Sequence, residues 1–150
     1  MVNPFDPKTV LLAKHAQHVV LVHFPIALFL TAVGFDAAAQ WTKKPVFATV
    51  ARYNMMIAAI ATLPVVLTGL LAWQWQLEGH KLKGVLLQHL VLGVISSVLI
   101  WLVWWIHARA QRNPEGALPT YRLPVELMAA LVVAVTAHLG GFLSGVNVPG

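Results

Sequence analysis

Four apolar runs, each long enough to cross a bilayer and separated by short charged connections, leave this chain few folds to choose from. The runs are Ala16 to Phe35, Tyr53 to Leu77, Gly84 to Ile106 and Leu123 to Val148. A helix rising 1.5 Å per residue needs about 20 residues to cross roughly 30 Å of hydrocarbon, and each run reaches that length. The second and third carry no charged side chain at all. Backbone polar groups in lipid must be satisfied internally, so unbroken runs of this kind become helices. The expectation is an all-α fold: a polytopic membrane protein built as a four-transmembrane-helix, up-down bundle. It forms a single transmembrane domain over residues 1–150, with spans near 16–38, 53–77, 84–107 and 123–147.

Composition agrees. Hydrophobic residues make up 59% of the chain and charged residues 10%, against about 25% charged in a soluble domain. A mean hydropathy of +0.75 says the same. The formal charge of +5 sits between the apolar runs, as loop charge does at membrane surfaces, and no basic stripe or RNA motif accompanies it. Nucleic acid is therefore not an expected partner. With no cysteine, disulfides, thiolate-held iron-sulfur clusters and C-x-x-C-H haem attachment are excluded. No G-x-S-x-G, H-E-x-x-H or phosphate loop is present, so conventional hydrolase and nucleotide chemistry has no support. Ala37-Ala38-Ala39-Gln40 has the form of a signal-peptidase site, but the apolar stretch before it is too long and is interrupted by His23 and Pro25. Pro25 is expected to kink the first span, and Pro64 with Thr68-Gly69 to bend the second. No internal repeat is evident.

Lys and Arg counts in the short connections give orientation. Lys43, Lys44, Arg52, Arg109, Arg112 and Arg122 fall on one side, and Lys8, Lys14, Lys81 and Lys83 on the other. This bias points to a bacterial inner (cytoplasmic) membrane with both termini periplasmic.

Ionisable residues inside membrane helices mark candidate functional sites. Counting rise from the outer boundary places His18 roughly 3 Å deep, His23 roughly 10 Å, His89 roughly 8 Å and His138 roughly 12 to 15 Å. Three of these, His23, His89 and His138, come from three different spans and share one outer-leaflet slab. A bundle with several imidazoles at one depth and no cysteine suits haem b, held by two axial histidines and burial of its macrocycle. His23 and His89 are the expected axial pair, with His138 in reserve. Gly93 and Gly141 would leave room for the ring, and Lys81 and Lys83 would pair with its propionates. His18 reads as an interfacial residue or a donor behind the ligands, His107 as a solvated helix-end histidine, and Asp36, Arg52 and Glu126 first as a structural ion-pair set and second as a route for proton uptake.

The sequence also allows other functions. Glycines on membrane helices permit close packing, and histidines can simply hydrogen-bond between helices. The chain would then be a cofactor-free scaffold or assembly subunit of a respiratory complex. A small metal or solute permease is a third reading, although Thr62, Ser96, Ser97 and Thr136 are sparse for a pore. Copper would favour methionine and cysteine, yet Met55, Met56 and Met128 lie near the other boundary.

His18-x4-His23-Phe24-Pro25-Ile26-Ala27-Leu28, Thr68-Gly69-Leu70-Leu71-Ala72-Trp73, His89 and His138-Leu139-Gly140-Gly141 together resemble the bacterial membrane family called domain of unknown function 2231. The chain departs from its pattern at Val19, where the family usually has proline, and at Phe142, where a polar residue is common. The resemblance implies a four-helix membrane protein in an electron-transfer setting, beside Rieske or cytochrome c modules. Expected partners are then membrane lipid, a periplasmic cytochrome or Rieske-type protein, a quinone, and a larger complex or a second copy of the chain. An electron-transfer protein is expected rather than a stand-alone enzyme.

Overall fold

The computed structural model describes residues 16–79, 81–112 and 119–145. The readings made for Lys8 and Lys14 lie outside them. Five helices occupy the described residues: α1 (Ala16–Leu21), α2 (His23–Thr42), α3 (Pro45–Gln76), α4 (Gly84–Ala110) and α5 (Arg122–Leu143). Four stretches are long and apolar enough to cross a membrane, with α1 and α2 together making the first.

Each helix end has a local cause. Pro25 cannot donate to the Leu21 carbonyl, so the hydrogen-bond ladder is interrupted between α1 and α2, while Val22 keeps right-handed helical angles and still donates to the His18 carbonyl at 3.0 Å. Pro25 then sits in the first turn of α2, where its missing N–H has no intrahelical partner to lose. α2 stops at Lys43, which takes a left-handed conformation (φ 57°) and donates its N–H to the Ala39 carbonyl at 2.9 Å. Lys44 is extended, as the residue before a proline must be, and Pro45 opens α3. This places the start of α3 eight residues ahead of the expected Tyr53. At 32 residues α3 is about 48 Å long, more than the hydrocarbon is thick, so part of it lies outside the apolar layer. It ends where Glu78 and Gly79 take positive φ and Gly79 donates back to the Trp73 carbonyl.

The helices run alternately up and down. α2 packs on α3 and α4 on α5 to make two hairpins, which meet through α3 against α4 and α2 against α5. The core is built from Phe29, Ala32, Met55, Ala58, Val103 and Ala129, all fully or nearly fully buried. Small residues dominate because in lipid the attraction between helices comes from close packing rather than water exclusion. Large apolar side chains such as Phe24, Ile60, Leu67, Val98 and Leu131 face outward. That is the arrangement a lipid-immersed bundle requires.

The hairpins are also related in sequence, which corrects the impression that no repeat is present. Gln17-His18-Val19-Val20-Leu21 returns 71 positions later as Gln88-His89-Leu90-Val91-Leu92. At the same offset Ala37-x-Ala39-Gln40 returns as Ala108-x-Ala110-Gln111, Ala58-Ala59 as Ala129-Ala130, and Gly69 as Gly140. Exchanging the hairpins maps the α3/α4 contact onto the α5/α2 contact, the relation of an approximate twofold axis running along the bundle.

Phe29→Ala is expected to lower stability by roughly 1–3 kcal/mol, below the 3–5 of a water-soluble core because the transfer term is small in lipid. Phe24→Ala, at a lipid-facing position, should change it little. Thermal midpoints of both variants in detergent test this difference.

Candidate functional site

Two polar clusters lie where the hairpins meet, one toward each end of the bundle. At one end the rings of His18 and His89 meet nearly at right angles, with centroids 6.5 Å apart and planes at 82°. His18 Nδ1 lies 3.1 Å from the Val65 carbonyl, and His89 Nδ1 lies 3.1 Å from the Thr136 carbonyl. A carbonyl oxygen only accepts, so in each neutral imidazole the proton is on Nδ1 and the lone pair on Nε2. Each ring also lies against a glycine one turn beyond its acceptor. A Cβ at Gly69 would come within 2.9 Å of His18 Cε1, and one at Gly140 within 3.1 Å of His89 Cε1. Val65 and Thr136, like Gly69 and Gly140, are again 71 positions apart. Both hairpins therefore hold an imidazole in the same way, on the carbonyl and bare backbone of a neighbouring helix. Fixing the tautomer through a carbonyl is how proteins orient metal-ligating histidines.

His89 thus pairs with His18. His23 opens α2 with its side chain exposed, five residues after His18. His138 is exposed too and stands edge-on to Phe142, with ring centroids 5.0 Å apart. Gly93 packs toward α5, where an added Cβ would only touch Thr136 Cγ2 at 4.0 Å. Gly140, the neighbour of Gly141, lies against His89. Lys81 and Lys83 are exposed in the connection that leads into α4. The signal that singles out His18 is the repeated Gln-His-x-Val-Leu, not depth.

At the opposite end Asp36, His107 and Glu126 converge, with one ligand-capable atom from each lying within 4.8 Å of the others. His107 is buried, which corrects the expectation of a solvated helix-end residue, and its Nε2 is 2.7 Å from Glu126 Oε1. Arg122 Nε donates to Asp36 Oδ2 at 3.0 Å. The expected ion-pair set is thus rearranged, because Arg52 donates to Gln111 and stacks over Tyr53 while Arg122 takes Asp36. Between the clusters, Ser96 and Thr136 hydrogen-bond at 2.9 Å and Trp101 Nε1 donates to Thr62 Oγ1 at 3.0 Å.

Gly140→Ala is expected to push His89 off its carbonyl and cost roughly 1–3 kcal/mol of stability, as overpacking does. Gly93→Ala should be near neutral, and detergent thermal melts of the two variants distinguish them.

No curated protein and no solved structure matches the chain. A family model does: that of the predicted membrane proteins grouped as domain of unknown function 2231, over residues 14–147. With four apolar helices of membrane-spanning length and a match over nearly its whole sequence, the chain belongs to this family of membrane proteins.

Proposed function

We propose that this protein is a small b-type cytochrome, or a cytochrome-like electron-transfer subunit, of a bacterial cytoplasmic membrane, with His18 and His89 as the axial ligands of one haem. The supporting observation is the imidazole pair. Two iron–nitrogen bonds of about 2.0 Å, with about 1.1 Å from each nitrogen to its ring centre, would separate the two ring centres by about 6.2 Å. The His18 and His89 ring centroids are 6.5 Å apart. Both rings hold their Nδ1 protons on carbonyls, which leaves the Nε2 lone pair as the donor on each. This reading keeps His89 from the sequence-based pair and replaces His23 with His18.

Haem in such a site supplies a one-electron couple. The chain supplies the rest. Its carbonyl contacts fix the ring planes and raise ligand basicity. Apolar helices exclude water, and Lys81 and Lys83, at the same end as His89, suit anionic propionates. The loop-charge bias supports an outward position for this end, toward a periplasmic cytochrome or Rieske-type carrier. One redox centre near one surface does not carry an electron across the membrane, so a quinone or another subunit completes the path.

The specific rival is a cofactor-free scaffold, favoured by the same two hydrogen bonds, because each also ties one helix to another. A reduced-minus-oxidised visible spectrum of detergent-purified protein separates the readings. We expect a low-spin haem b signal that is lost in His18→Ala and in His89→Ala but kept in His23→Ala and His138→Ala. Protein that stays colourless when produced with excess haem overturns the cytochrome reading and leaves the scaffold.

A further inference from the structure

The cluster at the other end of the bundle is not used by that reading. Asp36 and Glu126 are 0% and 1% exposed, and His107 is 4% exposed. Three protein donors reach the carboxylates: Arg122 Nε and Gln40 Nε2 on Asp36 Oδ2, and the His107 ring on Glu126 Oε1. The remaining oxygens, Asp36 Oδ1 and Glu126 Oε2, are fully buried and accept no hydrogen bond among the described residues. A buried carboxylate oxygen without a donor is costly, and more so in a bundle surrounded by lipid. Protonating His107 does not remove that cost, because its Nε2 already points to Oε1 and leaves Oε2 bare.

We infer that Asp36, His107 and Glu126 bind a divalent first-row transition ion, such as zinc, manganese or ferrous iron. The donor set is one imidazole and two carboxylates from three helices, α2, α4 and α5. This mixture suits such ions better than the all-oxygen shells of calcium or magnesium. Metal–ligand bonds of about 2.0–2.1 Å put neighbouring donors roughly 3.3 Å apart at tetrahedral angles. The three side chains, already within 4.8 Å of one another, need only a small inward adjustment. Arg122 stays on Asp36 Oδ2 as the outer partner that orients a ligating carboxylate. A cleft of about 340 Å³ reaches Asp36 and Arg122 from the surface past Gln40, Lys43 and Lys44. Its two lysines disfavour a passing cation, so this is a site for a resident ion rather than for cargo in transit.

The site is independent of haem, and its test is kept separate. Full-length protein in detergent, stripped with chelator, is titrated with zinc and with manganese, passed through gel filtration and assayed for bound metal. One equivalent is expected in wild type and equally in His18→Ala and His89→Ala. Glu126→Gln and Asp36→Asn, which keep shape and lose charge, should each weaken binding at least about tenfold. Zinc K-edge absorption on wild type, which needs no variant, should show nitrogen and oxygen ligands that include imidazole. Substoichiometric binding by wild type, an imidazole-free shell, or binding unchanged in both variants overturns the inference.

Discussion

Lipid provides no hydrogen bonds, and that shapes this bundle more than any single contact. Every polar group within the apolar layer must find its partner inside the protein, so the polar side chains gather where helices meet. Ser96 meets Thr136, Trp101 meets Thr62, and the histidines meet carbonyls or carboxylates. Apolar residues cover the outside and small residues close the gaps. The two polar clusters are the places where the bundle concentrates what lipid cannot solvate.

Much of this is legible from residues alone. Four long apolar runs dictate four spans, and the residues of the family resemblance are all present in order. Depth is legible too, since it needs only the rise per residue. Facing is not. His18 and His23 are five residues apart, which along a helix is about 140° of rotation. Counting depth favoured His23, whereas the inward-facing histidine is His18. The same blindness applied to His107, whose position near a helix end suggested solvent; only its neighbours on α2 and α5 show that it is buried.

One signal was available and carries weight in retrospect. Gln-His-x-Val-Leu occurs twice, and the residues that accept and abut each histidine recur at the same offset. Weak repeats are hard to see where composition is dominated by Leu, Val and Ala, because chance matches are frequent. Here the repeat becomes convincing once the recurring residues are seen to make recurring contacts.

The recurrence at 71 residues bears on how two such different clusters share one axis. Asp36 and His107 occupy equivalent positions of the two halves, as do Met55 and Glu126, and Ala51 and Arg122. In an assembly of two identical hairpins each of these positions would meet its own copy, setting aspartate against aspartate or imidazole against imidazole inside lipid. Joining the halves into one polypeptide lifts that restriction. Each side of the pair can then mutate alone, so a carboxylate can stand opposite an imidazole while the histidines at the other end stay matched. A single chain thus lets one end keep a matched pair of histidines while the other is chemically lopsided.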